Sequence, residues 1–174
     1  FVANGHVLRE EPLYDPAAPY AQPNQLFRGS PAGAFTEVLP RGGTEVELVA
    51  SSRAAAFGDL DDDGDIDIVV VNQDGPAHVL ENTIGDARAW IGFRVLDSAG
   101  SDALGACVTI TAGGRSQARR VETAYSYQAS NDPRVLFGLD GAAGVDAVVV
   151  RWLDGQELRL GQLVGRRYHT IERG

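Results

Sequence analysis

Residues 59–67 carry acidic side chains whose type and spacing suit a calcium ion. Six of these nine residues are aspartate, and five of them occupy the alternate positions 1, 3, 5, 7 and 9 of the segment. Gly64 lies at position 6, where a calcium loop makes its sharp turn. Ca²⁺ prefers six to eight oxygen ligands, and short carboxylates on a tightly turning chain can converge on one point. The pattern therefore predicts a calcium-binding loop.

The spacing also predicts how the loop would coordinate the ion. We expect four side chains to be ligands: Asp59, Asp61, Asp63 and Asp67. Asp65 is expected to contribute its backbone carbonyl, and Asp62, between ligand positions, to point to solvent. A run of acids can also be a solvated or disordered patch. Here the run lies between the apolar segments 54–57 and 66–71, which favours an ordered loop.

The loop differs from that of an EF-hand. Position 12, where the EF-hand places a bidentate glutamate, is Val70, and the flanking patterns are those of strands rather than helices. Without the bidentate ligand we expect a dissociation constant of roughly 10⁻⁴–10⁻³ M, as in extracellular modules. Such binding is useful where calcium is abundant, so the prediction is a structural Ca²⁺ in a secreted, cell-surface or periplasmic protein.

Strand patterns dominate the rest of the chain and predict an all-β fold. The apolar run Ile66–Val71 is followed by Asp74-Gly75, a turn pair, and then by 77–80, which together predict a hairpin. Pro12–Pro23 holds four of the eight prolines and is predicted to be a surface loop. Further strands are predicted at Gln25–Arg28, Ala34–Val38, Trp90–Leu96, Ala106–Thr111, Ser116–Thr123, Val135–Leu139, Val145–Trp152, Gln156–Leu160 and Tyr168–Glu172.

The charge is divided unevenly along the 174 residues. Residues 1–86 contain 15 acids and four arginines, whereas residues 87–174 contain nine acids and eleven arginines. We therefore predict two domains that meet at this point. The formal net charge of −9 argues against a nucleic-acid partner, which would need a positive surface. No apolar run is long enough to predict a membrane span.

Other chemistry finds little support in the sequence. The single cysteine, Cys107, cannot form an internal disulfide, and the three histidines have no zinc-ligand spacing. No Gly-x-Ser-x-Gly motif is present, and the densest acids are those of the predicted calcium loop, so we predict that the chain is not an enzyme. Arg115, Arg119 and Arg120 form a basic cluster. They could be a solvated face, a contact for an anion or acidic glycan, or a contact for the acidic first part.

Two segments resemble known families. Residues 57–70, which read FGDLDDDGDIDIVV, resemble the FG-GAP/VCBS repeat, the calcium-loop unit of integrin-α-like β-propellers. The second half resembles the ASPIC/UnbV domain of the cartilage-acidic-protein-like family. The matching stretches are WIGFRV (90–95), LGACVTITAGG (104–114), FGL (137–139) and VVVRWLDG (148–155). Propeller repeats followed by this domain is also the order of that family.

The resemblance implies a C-terminal piece of a longer protein. It implies about two blades of a partial β-propeller in residues 1–86, and a β-sandwich-like ASPIC/UnbV domain in residues 87–174. The remaining blades would then be partners of this chain. The resemblance implies no established catalytic mechanism, and it favours a secreted or cell-surface protein.

These observations favour a non-enzymatic, calcium-binding extracellular interaction or adhesion module whose partner is a protein or a glycan. Calcium would stabilise the propeller blade that holds the loop. An alternative is an accessory module of a larger secreted enzyme whose catalytic part lies outside this sequence. A calcium-triggered sensor is a third hypothesis.

Overall fold

The predicted all-β fold is confirmed. The computed structural model describes residues 1–7, 9, 19–85 and 87–174, and its regular structure there consists of strands and one short 3₁₀ turn, Arg41–Gly43. The strands are β1 (Gln22–Pro23), β2 (Phe27–Gly29), β3 (Phe35–Glu37), β4 (Val49–Ala50), β5 (Ser52–Gly58), β6 (Asp67–Asn72), β7 (His78–Leu80), β8 (Trp90–Leu96), β9 (Cys107–Ala112), β10 (Arg115–Arg120), β11 (Val135–Gly138), β12 (Gly144–Val145), β13 (Ala147–Arg151), β14 (Glu157–Leu160), β15 (Leu163–Val164) and β16 (Tyr168–Glu172).

The chain divides into two compact units. The first contains Phe1–Ala56, Ile68–Leu80 and Ser126–Ala129. The second contains Phe57–Asp67, Glu81–Tyr125 and Ser130–Gly174. The aspartate-rich segment 59–67 therefore belongs to the second unit, together with most of the chain that follows it.

Two sheets build the second unit. One has four strands in the order β10-β9-β13-β14, all antiparallel. The other has the order β11-β8-β16, with β11 antiparallel and β16 parallel to β8. A short pair, β12 with β15, completes the unit. β10 and β14 lie at the edges of the first sheet, and β11 and β16 at the edges of the second.

Alternating apolar residues from both sheets form one core. Val108 and Ile110 of β9 and Val148 and Val150 of β13 are fully buried, while the residues between them are less so. Phe93 of β8 meets Phe137 of β11 edge to face, with ring centroids 6.1 Å apart. Because side chains on a strand alternate between its two faces, this pattern fixes which face of each sheet points inward.

The first unit contains smaller sheets. β2 and β3, within or beside the predicted strands Gln25–Arg28 and Ala34–Val38, pair antiparallel, and β6 and β7 form the predicted hairpin, in which Val70 lies opposite His78. The buried Ser52 hydroxyl donates to the Asn72 side-chain oxygen at 2.8 Å. β5, β6 and β7 form a three-stranded sheet, and β1 with β4 and β2 with β3 form sheets of two strands. The propeller organisation of residues 1–86 stays a prediction.

The structure bears only in part on the predicted surface loop, the predicted domain boundary and the prediction about a membrane span. Most of the predicted Pro12–Pro23 loop lies outside the described residues, and so does Asp86 at the predicted domain boundary. Across the described ranges, none of the helical structure has the length and apolar character that a membrane crossing requires.

Candidate metal centre

The aspartate-rich loop connects the end of β5, Gly58, to the start of β6, Asp67. It brings together one carboxylate oxygen from each of three predicted ligands, Asp59, Asp61 and Asp67, all within 4.8 Å of one another. Asp59 and Asp67 are each only 2% exposed, whereas Asp61 is exposed. The carboxylates of Asp63 and Asp65 lie outside this group of three.

Backbone N–H groups of the loop hold these carboxylates in place. The Asp59 carboxylate accepts hydrogen bonds from the N–H of Gly64 at 2.9 Å and of Asp63 at 3.2 Å. The Asp67 carboxylate accepts from the N–H of Leu60 at 2.8 Å and of Asn82 at 2.9 Å. A charged acceptor strengthens each of these bonds, so the loop is folded around its own acids.

The other two predicted ligands have different neighbours. The Asp63 side chain accepts from the N–H of Asp65 at 3.1 Å. The Asp65 side chain is buried and accepts from the N–H of Gly85 at 3.0 Å. The assignment of Asp63 as a side-chain ligand and of Asp65 as a carbonyl ligand stays a prediction.

Gly64 fits the turn for two physical reasons. Its φ of +99° lies in the region that L side chains rarely adopt. A Cβ at this position would lie 2.1 Å from ring atoms of Trp90. The sequence indicates the glycine through its position in the motif, but the close approach to the indole is visible only in the structure.

Two residues from distant parts of the sequence complete the surroundings of Asp59. The Tyr168 hydroxyl donates to Asp59 Oδ2 at 2.7 Å. Arg134 donates from Nη2 to the backbone carbonyl of Asp59, from Nη1 to Asp62 Oδ1 at 2.5 Å, and from Nε to Asp132 Oδ2 at 2.7 Å. The guanidinium also stacks on the Tyr168 ring, 4.1 Å from its centroid.

The environment keeps both of these groups in their hydrogen-donating forms. Burial, followed by the hydrogen bond to Asp59, raises the pKa of the Tyr168 hydroxyl well above its ordinary value. Burial acts to lower the pKa of Arg134, but hydrogen bonds to Asp132 and Asp62 outweigh it, so that this pKa is raised. Tyr168 is therefore a neutral donor, and Arg134 a fixed positive charge beside the acidic loop.

Sequence reasoning did not identify Arg134 or Tyr168, because 75 and 109 residues separate them from Asp59. No local motif marks either of them. Asp62 is exposed over 67% of its side chain, but it pairs with Arg134 instead of being surrounded by water alone. Arg115, Arg119 and Arg120 are exposed on β10 and are not among the hydrogen-bond partners of the loop described above.

Comparisons with known proteins cover the second part of the chain. Residues 97–174 match the model of the family described as ASPIC and UnbV. No curated protein matches the chain. The resemblance of residues 57–70 to the FG-GAP/VCBS repeat stays a prediction. The ASPIC/UnbV resemblance is confirmed for residues 97–174, the part of the chain that matches the family model.

Proposed function

We propose that this chain is a non-enzymatic calcium-binding module of an extracellular interaction protein. The observation that carries the proposal is the convergence of the Asp59, Asp61 and Asp67 carboxylates in a loop with a glycine turn. The ASPIC/UnbV domain in residues 97–174 is in keeping with an accessory module rather than a catalytic domain.

The donor set suits Ca²⁺. All the candidate ligands are oxygens, which a hard cation prefers. Oxygens on opposite sides of a Ca²⁺ ion are about 4.6–5.2 Å apart, because each Ca–O distance is about 2.3–2.6 Å. The three carboxylate oxygens lie within 4.8 Å of one another, so they can share one coordination sphere. Backbone carbonyls and water would supply the remaining ligands.

The ion would act on stability rather than on a reaction. Asp59 and Asp67 are buried, and their negatively charged carboxylates repel each other. A divalent cation between them would attract both carboxylates and so offset this repulsion. It would thus join the end of β5 to the start of β6. The weak affinity expected without a bidentate glutamate fits a protein that works in calcium-rich surroundings outside the cell.

A thermal melt in 10 mM Ca²⁺ and again in excess EDTA tests the proposal. With a dissociation constant of about 10⁻⁴–10⁻³ M, calcium should add about 1.4–2.7 kcal/mol to the free energy of unfolding. For a chain of this size the midpoint should rise by roughly 3–10 °C. Asp61→Asn should abolish the shift, because it removes an exposed ligand charge.

The adjacent Asp62→Asn is the matched control, since it removes one exposed negative charge that lies outside the group of three carboxylates. It should keep most of the calcium shift. A folded wild-type protein whose midpoint ignores calcium would overturn the proposal. An equal loss of the calcium-induced midpoint shift in Asp61→Asn and Asp62→Asn would also overturn it, because the shift would then depend on net charge and not on the three carboxylates.

A further inference from the structure

The strand β10, Arg115–Arg120, is exposed along its whole length. All six of its residues are exposed, although its neighbour β9 buries Val108 and Ile110. Strands in a two-sheet domain normally cover one face. β10 also lies at the edge of its sheet, with β9 as its partner in the strand order. One edge of this strand is therefore open to a ligand, while on one of its faces Gln117 Nε2 donates to the Gly138 carbonyl at 2.9 Å and Arg119 lies over the Phe137 ring.

The open edge presents backbone hydrogen-bonding groups. The Val121 N–H donates to the Ala106 carbonyl at 2.8 Å, just beyond the end of β10. In an antiparallel pair every second residue directs its N–H and C=O toward the partner strand. Counting back from Val121, the backbone groups of Ser116, Ala118 and Arg120 point away from β9. Such an edge is a template for another strand.

A cleft of about 570 Å³ lies along this part of β10. Its lining includes Ala118 and Arg120 of β10 and Leu136 of β11, which is itself an edge strand. Two partly exposed side chains also line it, Ile66 at 41% and Tyr125 at 54%. Exposed aliphatic and aromatic side chains next to arginines are typical of the centres of protein interfaces.

The charges in the cleft select an acidic ligand. Arg119 and Arg120 line it, and across residues 1–7, 9, 19–85 and 87–174 neither takes part in an ion pair. Arg119 lies 5.6 Å from the centre of the Phe137 ring, which holds its guanidinium at the core edge. Asp132, also in the lining, is already paired with Arg134.

We propose that β10 and this cleft bind an extended peptide segment that alternates acidic and apolar residues, by adding it as a strand. Strand addition obtains affinity from main-chain hydrogen bonds and specificity from alternate side chains. Arg119 and Arg120 are adjacent, so their side chains lie on opposite faces of β10, and Arg119 is the one that packs over Phe137. Acidic side chains of the peptide would meet Arg120, while apolar ones, on the other face, would enter the cleft beside Leu136. Glu122 also lines the cleft. A uniformly anionic polysaccharide would place a negative charge beside it, whereas a peptide that alternates acidic and apolar residues can place an apolar residue there, so the lining favours the peptide. The inference rests on the proposed interaction role but not on the calcium site.

Fluorescence anisotropy with a labelled decapeptide of alternating glutamate and valine tests the inference. The wild-type chain should bind it, and a lysine–valine peptide should bind at least tenfold more weakly. A third peptide keeps the glutamates but carries an N-methyl group on every backbone amide nitrogen, which removes the backbone donors of both strand edges without changing the charge. It should also bind at least tenfold more weakly, because a strand cannot pair without those donors.

Two charge-reversed proteins locate the site. Arg119→Glu/Arg120→Glu should weaken binding of the glutamate–valine peptide at least tenfold. Arg151→Glu/Arg159→Glu makes the same charge change on β13 and β14 of the same sheet, and it should retain at least half of the wild-type affinity. The decisive comparison is between these two variants.

Three results would overturn the inference: no binding of the glutamate–valine peptide, equal binding of its N-methylated form, or equal loss in the two protein variants. Binding of a sulfated oligosaccharide in place of the peptide would assign the arginines to a glycan and would also overturn it. Because the calcium melts use no peptide, failure of this inference is distinguishable from failure of the proposed function.

Discussion

Replacing Gly64 with alanine is expected to lower the free energy of unfolding by about 2–5 kcal/mol and to remove the stabilisation by calcium. A left-handed backbone costs an L-residue about 1–2 kcal/mol. The added methyl group would also overlap the Trp90 ring, 2.1 Å from its Cβ position, and overpacking of this kind costs about 1–3 kcal/mol. Relief of the clash must move the turn or the indole, and either movement displaces the donors to Asp59.

Gly155→Ala is the matched control for this experiment. Gly155 has a similar φ of +88°, but nothing lies within 4 Å of its Cβ position. Urea unfolding of this variant should show only the backbone cost of about 1–2 kcal/mol, and calcium should still raise its midpoint. Equal losses in the two glycine variants would show that Trp90 does not constrain the loop.

Replacing Arg134 with methionine is expected to cost about 2–3 kcal/mol. Methionine keeps much of the side-chain length but donates no hydrogen bonds, so the carboxylate of Asp132 and the carbonyl of Asp59 lose a charged donor. Hydrogen bonds to charged groups contribute about 1.5–3 kcal/mol. The stacking on Tyr168 is lost as well. We therefore expect a lower urea midpoint both in EDTA and in calcium.

The control for Arg134 is Arg159→Met. Arg159 forms an ion pair with Glu157 at 2.6 Å, but its side chain is 71% exposed, and exposed pairs contribute little to stability. This variant should unfold almost like the wild-type chain. If Arg134→Met is equally stable, the hydrogen bonds of Arg134 do not support the loop.

The strands that the sequence predicts best are the long ones with alternating or continuous apolar residues. Trp90–Leu96 and Tyr168–Glu172 have the predicted bounds, and the predicted Val135–Leu139 ends one residue earlier, at Gly138. Pairs such as β12 with β15 span two residues each. A period of two cannot be detected over two residues, so these bridges depend on tertiary packing that the local sequence does not show.

The candidate metal site also contains some residues that the sequence predicts and others that only the structure shows. The spacing of the acids identifies Asp59, Asp61 and Asp67 because the ligands of a calcium loop are close in the chain. The supporting side chains, Arg134 and Tyr168, reach Asp59 only through the folded sheet. Tyr168 begins β16, which pairs in parallel with β8, and such long-range pairings cannot be read from one sequence without the topology.

The exposure of β10 also could not be predicted. Residues Ser116–Thr123 read as a strand, and β10 ends at Arg120. A strand in a two-sheet domain is expected to bury one face. The sequence of the arginine cluster did not distinguish between a solvated face, an anion or glycan contact and a contact with the acidic first part. The edge position and the neighbouring cleft, which depend on the order of strands in the sheet, distinguish this segment from a covered strand.

Terbium luminescence tests the central claim, that the loop at residues 59–67 binds calcium, most directly. Tb³⁺ occupies oxygen-rich calcium sites and emits when a nearby tryptophan is excited, and Trp90 lies against Gly64. We predict emission that persists in Trp152→Phe, is lost in Asp61→Asn, and is displaced by millimolar Ca²⁺. Absence of the sensitised emission in the folded wild-type chain, or emission that Ca²⁺ does not displace, would contradict the account.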